Sequence, residues 1–343
     1  MNPVVVTHAL GTYPVYLEPG ALRRLPSLIE RHLAGRRVAL VADETVYRLH
    51  RDDALGSGGW AGDVLTFPPG ERSKTRETWA TLTDALLERG YGRDSGIVAL
   101  GGGVAGDLAG FLAATYMRGL PYIQAPTTLL AMVDASVGGK TAVDTPRGKN
   151  LVGAFHHPVA VAADPLVLET LPEQEYRAGL AEAVKHGLIA DRDYFEWMER
   201  EAEALLRRDQ GALVHLVRRS IEIKAEVVGA DERETGRRAI LNAGHTVAHA
   251  LEHVSDYALP HGEAVALGLV AECALAIRLG GTDLTLPERV KTLLHRLGLP
   301  VRLAQPPAPD HLITAMASDK KNRSARIRFA LPHSLGEMRA ADG

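Results

Sequence analysis

The chain has 343 residues, 46% of them hydrophobic and 24% charged, with 39 lysines and arginines against 42 aspartates and glutamates. That length suits about two domains, and the ordinary balance of apolar and charged residues excludes a disordered chain. A net charge of −3 without a basic stripe argues against nucleic acid as a partner, and the single cysteine, Cys273, excludes an internal disulfide and agrees with a cytoplasmic location.

The amino-terminal run MNPVVVTHALGTYPVYLEPG lacks a basic stretch followed by an apolar one. It reads as two short strands and a turn, not as a signal peptide. Apolar strands follow at residues 36–43, 63–67, 95–100, 121–125 and 159–164, with helical stretches such as LAGFLAATYM and TTLLAMVDAS between them. Strands alternating with helices predict an α/β domain with a parallel, Rossmann-like sheet covered on both faces. From about Leu171 the periodicity turns helical, through PEQEYRAGLAEAVKHGLIAD, RDYFEWMEREAEALLRR and GALVHLVRRSIEIKAEVVGAD. A late strand is expected at 325–332. The predicted organisation is an α/β domain over 1–171 and a mainly helical domain over 172–343. The most apolar helix, 264–277, is too short to span a bilayer and carries Glu272, so it reads as a core helix and no membrane association is expected.

SGIVALGGGVAGDLAGF runs strand, glycine turn, helix, and Gly101, Gly103 and Gly106 satisfy G-x-G-x-x-G in the required setting. Glycine lets the backbone approach a pyrophosphate, and the helix amino terminus offers N–H groups and partial positive charge. A tight turn with close helix–sheet packing would also explain the glycines. The acidic residue a Rossmann site places about 20 positions later is missing. Either the loop holds a phosphate of another kind, or Asp43, Glu71 and Lys74 hold the ribose from the earlier strands.

PTTLLAMVDASVGGKTAVDTPRGKNLVGAFHHP, residues 126–158, twice sets a lysine after glycine, at Lys140 and Lys149, with Asn150 adjacent and Arg118 upstream. It is not a Walker loop. Backbone and ammonium groups gathered this way point to anion binding.

In LNAGHTVAHALEH, helical spacing puts His245, His249 and His253 on one face. Thr246 follows His245, so the H-E-x-x-H motif of zinc proteases does not apply. Glu182, Lys185 and His186 share a face of another, unusually apolar helix, and His261 opens the helix of PHGEAVALG. A glutamate–lysine pair at this spacing is most often a surface salt bridge. One carboxylate and two imidazoles is also how a catalytic Zn²⁺ is commonly held. Glu182, His245 and His261 would be the ligands, His249 would be left as a proton carrier, and His253 would be merely exposed.

Taken together, GGGVAGDLAGF, RGLPYIQAPTTLLAMVDASVGGKTAVDTPRGKNLVGAF, GLAEAVKHG, LNAGHTVAHALEH, HGEAVALG and DKKNRSARIRFALP resemble the 3-dehydroquinate synthase family of sugar-phosphate cyclases. The motifs run in order from about residue 70 to 332. The resemblance implies an α/β nucleotide domain and a helical metal domain. It further implies that 3-deoxy-D-arabino-heptulosonate 7-phosphate becomes 3-dehydroquinate and phosphate in aromatic amino-acid biosynthesis. NAD⁺ would oxidise the C5 hydroxyl, phosphate would leave by elimination, the hydride would return, and an aldol addition would close the ring.

The resemblance implies a divalent metal, Zn²⁺ with Co²⁺ as the alternative, on Glu182, His245 and His261, and a proton relay through His249. It places Lys149 and Lys185 near the reacting end of the substrate, and Arg118, Lys140 and Asn150 on the phosphate. Lys224, Arg238, Asn242 and one of Lys320 or Lys321 would meet the carboxylate and ring hydroxyls, Lys224 being counted with the catalytic group. The dinucleotide would meet Asp43, Glu71, Lys74, Gly102, Gly103, Val104, Asp107, Thr127, Thr128, Asp134, Lys140, Lys149, Thr170, Leu171 and Gln174. A homodimer is implied, with Arg118 reaching the neighbouring site. The sequence departs from the family pattern at Ala135 for serine, Asp144 for asparagine and Ala248 for glycine, none of which removes a proposed catalytic group. The rival readings are a cyclase for another sugar phosphate, a metal-dependent polyol dehydrogenase and a non-enzymatic sensor. Retention of Lys224, Arg238, Asn242, His249 and Lys185, together with the Lys140–Asn150 clamp, favours the dehydroquinate reading.

Overall fold

The computed structural model describes residues 2–56, 62–234, 236–317 and 327–339. It divides into two compact units, one of residues 1–171 with 224–229 and one of residues 172–223 with 230–343.

In the first unit the strands are β1 (Val4–His8), β2 (Gly11–Leu17), β3 (Arg37–Asp43), β4 (Val64–Phe67), β5 (Ser95–Gly101), β6 (Tyr122–Pro126), β7 (Lys140–Thr145), β8 (Gly148–Phe155) and β9 (Ala160–Ala163). The helices are α1 (Leu25–His32), α2 (Glu44–Leu55), α3 (Arg76–Glu88) and α4 (Gly103–Thr115). The main sheet has 7 strands in the order β1-β2-β9-β6-β5-β3-β4. Only the β1–β2 pair is antiparallel; the pairs from β2 onward are parallel. Every residue of β5 and β6 is buried, as expected of strands with both faces covered. Leu82 and Leu86 of α3 and Leu108 and Leu112 of α4 pack with Val41 and Ile97 of the sheet. Each such leucine contributes about 1.5–3 kcal/mol of burial.

From β3 the chain passes to β4 on one side, then crosses to β5 and continues through β6 on the other. The carboxyl ends of β3 and β5 therefore flank the point where strand order reverses, the place where open α/β sheets hold ligands. Asp43 and Gly101 are the last residues of those strands.

The apolar strands found match those read from the sequence to within a residue or so. The run 140–155 instead forms the separate antiparallel hairpin β7–β8, and the helical stretch expected at 127–136 covers 129–135, its last five residues π-helical.

The second unit contains α5 (Glu173–Ala190), α6 (Arg192–Leu206), most of α7 (Gln210–Ala230), α8 (His245–Val254), α9 (His261–Arg278), α10 (Leu286–Arg296), α11 (Pro309–Ala317) and the short pair β10 (Pro332–Ser334) and β11 (Glu337–Met338). α6 is a plain amphipathic helix. The Asp191 side chain caps it by accepting from Tyr194 N at 2.9 Å, and Tyr194, Met198, Ala202 and Leu205 line its buried face. α5 is buried nearly all round from Ala178 to Ile189, Glu182 and Lys185 included. The strand expected at 325–332 is a correction: residues 325 and 326 lie outside the described residues, 327–331 form no strand, and pairing begins only at Pro332. IRFA supplies β-forming residues, but 327–331 has no paired strand beside it.

Candidate active site

In the first unit, β5 ends at Gly101 with φ +154°, and α4 begins two residues later. A Cβ on Gly101 would lie 2.5 Å from Ala105 Cβ, and one on Gly102 would lie 2.8 Å from Thr128 Cγ2. Gly102 caps α4 without a side chain, so the first-turn N–H groups lack both a capping side chain and an intrahelical partner. A recess over this turn is lined by Gly101, Gly102, Gly103, Gly106, Ala135 and Ser136. Beside it, Thr127 Oγ1 and Ser136 Oγ are buried with no hydrogen-bond partner among the described residues. Unmatched hydroxyls next to uncapped helix N–H groups fit a polar, anionic ligand.

Asp43, the last residue of β3, places a carboxylate beside the glycine turn. One oxygen caps α2 by accepting from Val46 N at 2.9 Å, while the other lies 3.5 Å from where a Gly101 Cβ would be. Lys74 is buried, and its Nζ donates to Asp107 Oδ2 and to Asn150 Oδ1, each at 2.5 Å. Burial opposes its charge, but Asp107 and Glu71 outweigh that and hold its pKa above the ordinary lysine value. Asn150 sits in the left-handed region at φ +57°, and its N–H donates to Asp144 Oδ1 at 2.8 Å. Asp144, one of the departures from the family pattern, thus holds the backbone of a predicted phosphate ligand. Lys224 Nζ donates to the carbonyl oxygen of Asp134 at 2.5 Å and pairs with its carboxylate. Thr128 Oγ1 accepts from Ala131 N at 3.1 Å, and Thr170 Oγ1 meets His50 Nε2 at 3.1 Å. Arg118 follows Met117 in a turn after α4, both with positive φ. Lys140 and Lys149 stand at the starts of β7 and β8.

In the second unit, one ligand atom each from Glu182, His245 and His261 lies within 4.8 Å of the others. His245 Nε2 is 3.4 Å and His261 Nε2 3.3 Å from the same oxygen, Glu182 Oε1. The opposite ring nitrogens are engaged elsewhere, His245 Nδ1 with Ala243 O at 3.1 Å and His261 Nδ1 with Glu252 Oε2 at 3.3 Å. With both Nδ1 atoms so engaged, Nε2 is the nitrogen each ring presents to Glu182, as a donor when the ring is protonated and as a lone pair when it is neutral.

Glu182 is 0% exposed, and neither of its oxygens accepts a well-formed hydrogen bond among the described residues. Lys185, one turn on, pairs with it. Burial opposes its charge, yet Lys185 and His245 hold the carboxyl well below the usual carboxylate range. His261 is likewise opposed by burial and pushed up to about 10 by Glu182 and Glu252. Carboxylate oxygens without good hydrogen bonds, facing two converging imidazole nitrogens, fit a divalent cation better than they fit each other.

Close helix packing brings these groups together. A Cβ on Gly262 would overlap Ala178 of α5, and one on Gly268 would overlap the Gly244 carbonyl. Gly244, at φ +79°, has no room for a side chain to cap α8. Glu272 of α9 takes that role, accepting from Gly244 N at 2.8 Å and Val247 N at 3.3 Å. His249 packs edge-on to His245, ring centroids 5.5 Å apart, and His253 is exposed. Arg238 is buried, with its guanidinium on Glu232 O, and Asn242 Nδ2 donates to Glu234 Oε1 at 2.6 Å. Gln174 donates to Glu263 Oε1 at 3.0 Å. Lys320 and Lys321 lie outside the described residues.

Sequence reasoning passed over Ser136, Glu252 and Glu272 as site residues. A buried acid in an apolar helix was the available signal for Glu272.

Comparison with known proteins identifies the family. The family profile described as 3-dehydroquinate synthase N-terminal matches residues 64–178, and that described as 3-dehydroquinate synthase C-terminal matches 179–322. A 3-dehydroquinate synthase from Halorhodospira halophila is 50% identical over 329 residues, covering 95% of this chain and 91% of that protein. Among solved structures, 2-deoxy-scyllo-inosose synthase complexed with carbaglucose-6-phosphate, NAD⁺ and Co²⁺ superposes with a TM-score of 0.90 at 26% identity, covering 99% of this chain and 94% of that one. The 2-epi-5-epi-valiolone synthase of Streptomyces hygroscopicus, with NAD⁺ and Zn²⁺ bound, gives 0.86 at 29% identity, covering 96% and 92%. By its profiles and its close relatives, the chain belongs to the 3-dehydroquinate synthase family and is an enzyme of that family.

Proposed function

We propose that the chain converts 3-deoxy-D-arabino-heptulosonate 7-phosphate to 3-dehydroquinate and phosphate, using NAD⁺ and one divalent metal. When bound, NAD⁺ takes up and returns the C5 hydride, and the metal, Zn²⁺ or alternatively Co²⁺, polarises the hydroxyl being oxidised. Glu182, His245 and His261 would hold the metal. The N–H groups of Gly103 and Val104 at the start of α4 would receive the pyrophosphate, and Asp43 a ribose hydroxyl. The remaining dinucleotide contacts would come from Glu71, Lys74, Gly102, Asp107, Thr127, Thr128, Asp134, Lys140, Lys149, Thr170, Leu171 and Gln174. His249 would carry protons at its ring nitrogen, and Lys149 and Lys185 would stabilise negative charge at the reacting end. Lys140, Asn150 and Arg118 would clamp the phosphate. Lys224, Arg238 and Asn242, with Lys320 or Lys321, would take the carboxylate and ring hydroxyls.

The observation that carries the chemistry is the convergence of two imidazole Nε2 atoms on one buried Glu182 oxygen. The choice of substrate is carried by 50% identity to a 3-dehydroquinate synthase, against 26% to a 2-deoxy-scyllo-inosose synthase and 29% to a 2-epi-5-epi-valiolone synthase. A homodimer is part of the proposal, with Arg118 donated to the neighbouring site. Leu151, Val152 and Phe155 on β8 are 45%, 39% and 47% exposed, apolar side chains on both faces of a strand that a second copy would cover. Among the described residues no helix is long and apolar enough to cross a membrane. A cytoplasmic location is part of the proposal, in keeping with the single cysteine.

Incubating the metal-loaded protein with the heptulosonate phosphate, glucose 6-phosphate or sedoheptulose 7-phosphate tests the reading. Phosphate release from the first alone supports it. Release from one of the others instead would assign the chain to a different cyclase.

A further inference from the structure

The two imidazoles of the triad are held from behind in chemically different ways. His245 Nδ1 meets a backbone carbonyl, Ala243 O, at 3.1 Å, which the local fold dictates. His261 Nδ1 meets a side chain, Glu252 Oε2 on α8, at 3.3 Å. Glu252 is 4% exposed, and no step of the proposed reaction uses it. Keeping a carboxylate in such a place is costly unless it is well partnered. Its backbone carbonyl separately accepts from Ser255 Oγ at 3.0 Å and Tyr257 N at 2.7 Å, contacts that survive a change of side chain.

We propose that Glu252 is the positioning residue of the metal centre: by accepting from His261 Nδ1 it fixes the tautomer and the ring plane that present Nε2 to the cation. This rests on the reading of Glu182, His245 and His261 as the metal ligands. His261 is the first residue of α9, and its ring is half-buried, more exposed than that of His245. Without an acceptor behind it, the ring is free to rotate or to carry its proton on Nε2, and either removes one ligand. A carboxylate acceptor also makes the imidazole a more basic donor.

The test compares wild type with Glu252→Gln, Glu252→Met and His245→Ala as full-length proteins. Zn²⁺ affinity is read by competition with a chromophoric chelator, and ligand geometry by the visible spectrum of the Co²⁺-loaded form. Glu252→Met fills the same volume without an acceptor; it should lose about 10–100-fold in metal affinity and shift the Co²⁺ bands. Glu252→Gln keeps an amide oxygen and should lose markedly less. Unfolding of the metal-free proteins and NAD⁺ affinity should change little, separating positioning from loss of fold. Should Glu252→Met fail to fold, Glu252→Asp, which withdraws the carboxylate from His261, decides by the same scale.

Wild-type affinity and spectrum in Glu252→Met or Glu252→Asp, with His245→Ala having lost its metal, would overturn the role of Glu252 and leave the triad standing. Undiminished affinity in His245→Ala as well would overturn the triad and the inference with it.

Discussion

The two candidate binding regions are built on opposite principles. In the first unit the glycine turn works by what it lacks, since side chains on Gly101 and Gly102 would collide with Ala105 and Thr128 beside the uncapped N–H groups of α4. In the second unit the triad works by what it buries: a carboxylate, a lysine and two imidazoles in a helical core. The first should therefore fail when atoms are added and the second when polar groups are removed. Glycines serve the second region too, but indirectly, by letting α8 and α5 approach α9 at Gly268 and Gly262.

The largest effect expected is that of His245→Ala. It should cost more than the roughly 10–100-fold in metal affinity typical of changing a group behind a ligand. Elemental analysis after dialysis should find the metal gone, and turnover should go with it; full activity in that variant would reject the assignment. Next is Lys140→Ala, expected to raise KM for the phosphorylated substrate by about 1.5–3 kcal/mol of lost charge-assisted contact, or on the order of 10–100-fold. An unchanged KM would mean the phosphate is held elsewhere.

Adding an atom to the first region should cost less. Gly101→Ala forces a methyl to 2.5 Å from Ala105 Cβ at a backbone angle that L-residues rarely adopt. A loss of about 1–3 kcal/mol in stability is expected, with a fall in NAD⁺ affinity, by denaturant titration and equilibrium binding. Metal affinity should be untouched, and a parallel loss of both ligands would contradict independent construction of the two regions.

The smallest effect concerns Cys273, whose thiol is pushed up to about 12 by burial and then by Glu272. A raised folded pKa means that the neutral thiol's contribution is intact below the unfolded value, near 8.5, and is lost as pH climbs toward 12. At pH 9 its native thiolate fraction should be about a thousandth, so iodoacetamide should label it only after unfolding. Rapid labelling of folded protein would show the site to be open.

What could be read from the sequence follows the same division. Buried parallel strands are apolar throughout, so β3, β5, β6 and β9 stood out, and the glycine turn was visible because strand, glycines and helix are adjacent in the chain. The triad was visible because imidazoles and carboxylates in apolar helices are few. The hairpin β7–β8 was not: its outward strand is apolar and exposed at Leu151 and Val152, against the usual alternation. Nor was the grouping of 224–229 with the first unit, because Lys224 meets Asp134 90 positions away and local periodicity cannot report such a partner. Glu272 was hidden similarly, since the N–H groups it caps lie 28 and 25 residues earlier in the chain.

The most direct test of the account counts products per cofactor. Metal-loaded protein is mixed with the heptulosonate phosphate and NAD⁺ well below the enzyme's substrate, and phosphate and dehydroquinate are measured together. The account predicts equal amounts of both, many per NAD⁺, with no net NADH and no product after metal removal. No phosphate release from protein shown to hold both metal and NAD⁺, or one NADH formed per substrate consumed, would contradict it.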